Sequence, residues 1–177
     1  MERIFLIGYM GSGKTTLGKV LAKELKLSFV DLDWYIEERL HRSVQTLFAE
    51  RGEESFRLLE QQMLREAAEF ENVVISTGGG APCFFDNMQF MNEMGTTIFL
   101  NVSIEVLFRR LKVAKYSRPL LKEKTDDELK AFISTALSQR LRYYSQAKYT
   151  MNADELESNK EIKQTIDKLL RLLHPYN

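Results

Sequence analysis

The sequence has little cysteine, no net charge and no long apolar run, and each of these absences excludes a class of protein. Its only cysteine, Cys83, rules out an internal disulfide and fits a reducing compartment. The 25 lysine and arginine residues balance 25 aspartate and glutamate residues, so no overall field favours nucleic acid or an anionic membrane. No stretch approaches the length of about 20 apolar residues that spans a bilayer, and no secretory signal opens the chain. We therefore expect a cytoplasmic protein without nucleic-acid or membrane partners.

The chain also lacks repeats, low-complexity tracts and a linker, and its 177 residues suit one domain, 1–177. Apolar strand signals alternate with amphipathic helices, and such strands are typical of a parallel sheet buried on both faces. We predict strands at 3–7, 28–32, 72–77, 96–101 and 149–151. We predict helices at 15–27, 34–40, 44–70 with a break near Arg51 and Gly52, 103–112 after a serine cap, 126–146 and 160–173. The expected fold is a three-layer α/β/α fold with a central five-stranded parallel sheet, and the neutral surface favours a monomer.

The most informative segment that is present runs from Gly8 to Thr15 and reads Gly-Tyr-Met-Gly-Ser-Gly-Lys-Thr. Its glycines let successive backbone N–H groups point at phosphate oxygens, and the following helix adds its dipole to the anion site. Lys14 supplies a charge for the β- and γ-phosphates, and the Thr15 hydroxyl is placed for Mg²⁺. Because an apolar strand precedes the loop and a helix follows it, the pattern predicts a site for a nucleoside triphosphate.

Two carboxylates, Asp31 and Asp33, follow the second predicted strand. One can hold Mg²⁺, while the other accepts a hydrogen bond from an acceptor hydroxyl or takes its proton. The alternative is that Asp33 only caps the next helix. The third strand ends in Ser76 and Thr77 rather than in the usual acidic residue, which favours the functional interpretation of the aspartate pair.

Two further clusters bear on the acceptor of the phosphoryl group. Arg57 lies in the stretch from Gly52 to Glu60, where a guanidinium can grip a carboxylate in a bidentate fork. The alternative is an ordinary surface ion pair with Glu53 or Glu60. The triple glycine at 78–80 leaves backbone N–H groups open to a small ligand, with a plain flexible turn as its alternative.

In this order, these motifs resemble the shikimate kinase family over nearly the whole chain. The resemblance rests on the phosphate loop, the aspartate pair, the Gly-Glu-x-x-Phe-Arg-x-x-Glu stretch, the triple glycine, an Arg-Pro-Leu segment at 118–120, and an arginine four residues before a tyrosine, Arg140 and Tyr144. It implies a P-loop kinase fold with a mobile lid at about 111–124 and substrate-binding helices at about 33–62. The implied reaction transfers the γ-phosphoryl group of ATP to the 3-hydroxyl of shikimate, in aromatic amino-acid biosynthesis.

The resemblance also implies a role for each matching residue. Lys14, Asp33 and Arg118 are the implied catalytic residues. The implied substrate contacts are Asp33, Arg57, Gly79, Gly80 and Arg140, with Phe48 and Phe56 as walls. The implied nucleotide contacts are Gly11, Ser12, Gly13, Lys14, Thr15, Thr16, Arg110 and Arg118, where Arg109 competes with Arg110 for stacking on adenine. Thr15 and Asp31 are the implied Mg²⁺ residues.

Two other interpretations stay open at this point. A related small kinase for gluconate or a nucleoside monophosphate would share the loop and the fold, but not the aspartate pair, the Arg57 stretch and the triple glycine together. A ligand-sensing module without activity would also keep the fold, although the retained Lys14, Asp33, Arg57, Arg118 and Arg140 favour an enzyme.

Overall fold

The computed structural model describes residues 2–114, 121 and 123–174, and it contains a five-stranded sheet flanked by helices. The strands are β1 (Arg3–Ile7), β2 (Ser28–Asp31), β3 (Val73–Ser76), β4 (Thr96–Asn101) and β5 (Tyr149–Asn152). The helices are α1 (Lys14–Leu25), α2 (Leu32–Leu40), α3 (Val44–Ala67), α4 (Asn87–Met94), α5 (Ile104–Val113), α6 (Asp126–Tyr144) and α7 (Asn159–Leu173). A 3₁₀ turn, Ala81–Cys83, precedes α4.

All neighbouring strands pair in parallel, in the order β2-β3-β1-β4-β5. The register places Leu6 of β1 beside Ser76 of β3, and Asp31 of β2 beside the same Ser76. The carboxyl ends of β1, β2 and β3 therefore meet at one edge, where the phosphate loop, the aspartate pair and the triple glycine follow them. In parallel α/β sheets this edge is where ligands bind.

Helices cover both faces of the sheet because alternate strand residues point to opposite sides. In β1, Ile4 and Leu6 belong to a core cluster with α1, α5, α6 and α7, whereas Phe5 and Ile7 belong to a second cluster with α2, α3 and α4. The three-layer α/β/α arrangement and the five-stranded parallel sheet are confirmed. No helix in the described part of the chain has the length and apolar content needed to cross a membrane.

Most predicted elements are present with small changes at their ends. The bounds of β1 and β4 are as predicted, and Ser103 caps α5 by accepting a hydrogen bond from the Val106 N–H. The predicted break in α3 falls at Gly52, whose φ of 74° and ψ of 170° are not helical. Two elements, the 3₁₀ turn and α4, have no counterpart among the predicted ones. Half of the predicted lid, residues 115–120 and 122, lies outside the described residues.

Candidate active site

The phosphate loop joins β1 to α1 and curls as the glycine pattern predicts. Gly8, Gly11 and Gly13 have φ values of 147°, 79° and 92°, in the region where side chains other than glycine are strained. The Nζ of buried Lys14 donates to the carbonyls of Gly8 and Tyr9, at 2.9 Å each. The lysine is thereby held inside the curl of the loop, where a bound phosphate would meet it.

A cavity of about 400 Å³ opens at this loop and reaches the ends of β2 and β3. It brings together these predicted site residues: Gly11, Gly13, Lys14, Thr15, Thr16, Asp31, Asp33, Gly79 and Arg110. It is also lined by Gly78 of the triple glycine and by residues that received no predicted role: Met10, Ser76, Thr77, Leu156 and Glu157. Leu156 and Glu157 follow β5 at a distance of over 140 residues from the loop, so no local pattern could have placed them here.

Thr15 and Asp31 form the edge of the cavity that suits a divalent cation. The Thr15 hydroxyl donates to Oδ2 of Asp31 at 2.7 Å, so the two predicted Mg²⁺ residues are in contact. Among the described residues, no group of three His, Cys, Asp or Glu side chains could hold a metal. This donor set fits Mg²⁺, which is commonly bound through one or two carboxylates together with waters and substrate phosphates.

Asp33 lies at the start of α2, one residue into the helix, and is not the residue that caps it. The cap is Asp31, whose Oδ1 accepts from the backbone N–H of Asp33 at 3.2 Å, so the capping alternative for Asp33 is wrong. Burial raises the pKa of Asp33, as do the neighbouring carboxylates of Asp31 and Glu37, while Lys14 and Arg57 oppose the rise. A carboxylate with a raised pKa in a cavity is a candidate proton acceptor.

Arg57 forms a buried ion pair, which corrects the surface-pair alternative. Its Nη1 donates to Oε2 of Glu60 at 2.7 Å, and the two side chains are only 11% and 2% exposed. The exposed Glu53 lies 3.5 Å away on the other side. Burial raises the pKa of Glu60, and the Arg57 charge opposes that rise. Because Glu60 fixes one edge of the guanidinium, Arg57 is preorganised for a second carboxylate.

The triple glycine after β3 is needed for space. None of Gly78, Gly79 and Gly80 has a positive φ. A methyl group on Gly78 would lie 2.8 Å from Oε1 of Glu60, and one on Gly80 would lie 2.5 Å from Nη2 of Arg57. The segment is therefore packed against the charged ends of Glu60 and Arg57, which favours the binding-site interpretation over a plain flexible turn.

Arg140, near the end of α6, reaches the same region from the other side. Its guanidinium lies 3.4 Å from the position of a methyl group on Gly79 and 5.3 Å from the ring centre of Tyr9. Tyr144, one helical turn later, donates from its hydroxyl to the Gly79 carbonyl at 2.6 Å. The structure thus places both predicted clamp arginines, Arg57 and Arg140, around the triple glycine.

The aromatic wall differs in part from the prediction. Phe48 is partly exposed and packs on Phe56 with ring centres 5.3 Å apart, but Phe56 itself is buried. The nearest ring to the Arg57 guanidinium is Phe84, at 4.4 Å. Phe84 lies in the missed segment after the triple glycine, and a sequence of Cys-Phe-Phe carries no signal for such a contact.

Arg110 lies at the cavity, whereas its neighbour Arg109 faces solvent. Arg110 lines the cavity and donates to the carbonyls of Ala153 and Asp154 at 3.1 and 2.9 Å. The Arg109 side chain is mostly exposed, and its nearest acid is Glu157 at 3.9 Å. Of the two, Arg110 lies at the candidate nucleotide site. Arg118, the third predicted catalytic residue, lies outside the described residues.

The parallel sheet lies between two helix layers, its first strand leads into a phosphate loop, and a second polar site follows at the same edge. These features define a P-loop small-molecule kinase. A sequence model described as shikimate kinase matches residues 10–171. The shikimate kinase of Bacteroides thetaiotaomicron is 62% identical over 173 residues, which cover 98% of this chain and 99% of that protein. The chain belongs to the shikimate kinase family.

Solved structures show the same similarity. The crystal structure of shikimate kinase from Bacteroides thetaiotaomicron superposes with a TM-score of 0.96 at 61% identity and covers 98% of each chain. The shikimate kinase of Acinetobacter baumannii, solved in complex with shikimate, has a TM-score of 0.83 at 30% identity, covering 99% of this chain and 94% of the other.

Proposed function

We propose that this protein transfers the γ-phosphoryl group of MgATP to the 3-hydroxyl of shikimate, giving shikimate 3-phosphate and ADP. The observation that carries the proposal is the single cavity that holds both the phosphate loop and Asp33, with Arg57 and Arg140 on either side of the adjoining triple glycine. Family membership supports the same reaction. Gluconate carries a carboxylate and a nucleoside monophosphate carries a phosphate, so the two arginines alone do not separate these acceptors, and family membership is what favours shikimate.

The proposed roles follow from the charges of the two substrates. Lys14 meets the transferring phosphoryl group, since it lies inside the phosphate loop. Arg57 and Arg140 hold the shikimate carboxylate, because two guanidinium groups around one small pocket suit a carboxylate. Gly79 and Gly80 offer backbone N–H groups to the ring hydroxyls. Arg118 is assigned to the phosphoryl group from the family resemblance alone.

Asp33 is proposed to act on the attacking hydroxyl. It accepts a hydrogen bond from the 3-hydroxyl and is placed to take its proton as the new O–P bond forms. Its raised pKa supports this role, because a base works best when its pKa approaches the working pH. Phosphoryl transfer asks little covalent chemistry of the protein, so this alignment and the surrounding cations supply most of the acceleration.

Thr15 and Asp31 are proposed to hold Mg²⁺ on the nucleotide. When bound, the ion neutralises charge on the β- and γ-phosphate oxygens. Arg110 is proposed to lie against the adenine, and Gly11, Ser12, Gly13 and Thr16 to contact the phosphates.

The deciding experiment measures ADP formation with MgATP, with and without shikimate, for the parent protein and Asp33→Asn. We expect turnover that depends on shikimate and falls by at least about a hundredfold in the variant, the scale of a lost general base. Nucleotide affinity should be retained in Asp33→Asn, and it is measured in parallel by calorimetry. Slow ATP hydrolysis that is indifferent to shikimate would reject the proposal and return attention to gluconate, other polyols and a ligand-sensing role.

A further inference from the structure

Tyr9 connects the phosphate loop to the candidate carboxylate clamp. It lies within the loop, between Gly8 and Met10, and its side chain is almost fully buried, with the residue only 2% exposed. The face of its ring lies 5.3 Å from the guanidinium carbon of Arg140, a distance at which a cation is attracted to an aromatic face. Its backbone carbonyl accepts the Nζ of Lys14 at 2.9 Å. One residue thus contacts a cation of each site.

The packing around Gly79 makes this connection tight. A methyl group on Gly79 would lie 3.3 Å from the Gly8 carbonyl oxygen, 3.3 Å from the Met10 nitrogen and 3.4 Å from Nη1 of Arg140. A methyl group would therefore be only a few tenths of an ångström too close, so the loop backbone and the Arg140 guanidinium both lie beside Gly79 at about the distance of one methyl group. The surroundings of Arg140 therefore include the loop backbone at residues 8–10 as well as the Tyr9 ring.

Lys14 gives the nucleotide a way to act on this contact. Its ammonium group has three N–H donors, and they are directed to the carbonyls of Gly8 and Tyr9 and, at 3.4 Å, to Oγ of Ser12. A phosphate bound in the loop takes at least one of these donors. The hydrogen bonds from Lys14 to the Gly8 and Tyr9 carbonyls are then weakened. Tyr9 is also the residue whose ring contacts Arg140.

We propose that Tyr9 is a positioning residue that holds Arg140 in its substrate-binding orientation and links that orientation to the nucleotide in the phosphate loop. The inference rests on the proposed function, since it takes Arg140 as a shikimate contact. The ring performs this role, and the hydroxyl has no hydrogen-bond partner among the described residues. The ring also stays neutral, because burial raises the pKa of Tyr9.

The test measures the shikimate dissociation constant by calorimetry, with and without a saturating non-hydrolysable ATP analogue and Mg²⁺. In the parent protein we expect the analogue to tighten shikimate binding about fivefold, the lower end of usual coupling between sites. Tyr9→Phe keeps the aromatic face, so the ratio of the shikimate dissociation constants without and with the analogue should stay at about fivefold. Tyr9→Leu should reduce it to less than about twofold, and should raise the shikimate KM much more than it lowers kcat.

A matched control and a second variant separate positioning from general damage. Phe90→Leu makes the same kind of change where a guanidinium, that of Arg65, lies 4.4 Å from a ring on α4, and it should keep the parent ratio. Arg140→Gln removes the guanidinium side of the Tyr9–Arg140 contact and leaves Tyr9 unchanged. In this variant the analogue should no longer tighten shikimate binding. In the double variant, Tyr9→Leu should then have almost no further effect.

Several outcomes would overturn the inference. A parent protein that phosphorylates shikimate but binds it equally with and without nucleotide overturns the inference and leaves the proposed function intact. Retention of the full ratio by Tyr9→Leu or by Arg140→Gln also overturns it, and the second variant decides if the first does not fold. A parent protein without shikimate-dependent turnover is instead a failure of the proposed function.

Discussion

At the scale of single residues, Arg57 has two carboxylate partners in opposite environments. Glu60 is buried with it at 2.7 Å, whereas Glu53 lies 3.5 Å away with a side chain that is 58% exposed. Water screens the Glu53 pair, and exposed pairs contribute about 0–1 kcal/mol. Removal of one partner from a buried pair costs about 3–5 kcal/mol, because it leaves the other charge uncompensated.

We therefore predict different outcomes for Glu60→Gln and Glu53→Gln. The first should lower the free energy of unfolding by about 3 kcal/mol and raise the shikimate KM about tenfold or more, because Arg57 loses the contact that fixes its fork. The second should change both by little. Denaturant unfolding and steady-state kinetics on the two variants provide the measurement, and each variant serves as the other's comparison. Equal effects would show that Arg57 is not held by Glu60.

Asp33 illustrates a cost in stability at a functional position. Burial, together with Asp31 and Glu37, raises the pKa of Asp33 above the ordinary aspartate value near 4. A carboxyl with a raised pKa binds its proton more tightly in the folded protein. The free energy of unfolding therefore falls as the pH rises from the unfolded pKa to the folded pKa. Above that interval the folded protein carries the full cost of the buried charge.

We predict that Asp33→Asn abolishes turnover but stabilises the protein at pH 7 by about 1 kcal/mol, the usual scale of such exchanges. In a chain of this length that is a rise in Tm of about 2–4 °C. The difference should shrink below about pH 4, where Asp33 is protonated in both states. Melting curves across pH test this, with Glu54→Gln as a surface control for the lost charge. An Asn variant less stable than the parent at pH 7 would contradict the argument.

The residues that could be predicted from the sequence are those whose role is set by local order. The phosphate loop, Asp31 and Asp33 each follow a strand end, so position along the chain indicated position in the site, whereas Arg57 lies in the middle of α3 and was assigned from the family resemblance. Phe84, Leu156 and Glu157 could not be found in this way. Their contacts depend on how distant segments pack, as in the approach of the Phe84 ring to Arg57.

At the scale of elements, the break in α3 is the feature with the clearest consequence. Gly52 has φ 74° and ψ 170°, a region that is essentially confined to glycine. The break lies between Phe48 and Phe56, and it lets their rings meet at 5.3 Å close to the Arg57 guanidinium. A methyl group on Gly52 would meet no atom within 4 Å, so only the backbone conformation demands glycine here.

We predict that Gly52→Ala lowers the free energy of unfolding by about 1–3 kcal/mol, the usual cost of a strained backbone, and raises the shikimate KM as Phe48 moves relative to Arg57. Since no clash is involved, the whole cost is conformational. Chemical unfolding and kinetics measure both effects. Glu54→Ala, an exposed change two residues further along α3, should stay within about 0.5 kcal/mol of the parent. A neutral Gly52→Ala would mean that the helix can straighten without loss.

Elements were predictable where they carried a strong pattern. The buried strands β1 and β4 carry apolar runs, and the Ser103 cap marked the start of α5. The short helix α4 has only eight residues, and its start lacks a side-chain cap. The preceding 3₁₀ turn contains Pro82, which reads locally as a break rather than as structure.

At the scale of the whole molecule, the two core clusters share the same strands. Side chains of β1 alternate between them, with Ile4 in one cluster and Phe5 in the other. If the helices of one cluster unfold, one face of the sheet is exposed to water. The other cluster packs on the opposite face of the same strands and is destabilised with it. The binding site lies where both layers reach the carboxyl edge, so its charged residues are held by two packed faces at once.

This shared sheet predicts that the chain unfolds as one domain in a single transition. Trp34, the only tryptophan, is 51% exposed on α2, and the Nζ of Lys19 on α1 lies 4.5 Å from its ring centre. Its emission therefore follows α2 and its contact with α1, while far-UV circular dichroism follows all helices. We expect the two midpoints to coincide. A saturating ATP analogue at a hundred times its Kd should add about 2.7 kcal/mol, which raises both midpoints together by about 5–11 °C. A fluorescence transition several degrees below the dichroism transition would instead divide the chain, because α2 would then melt while the sheet and the helices of the other cluster stayed folded.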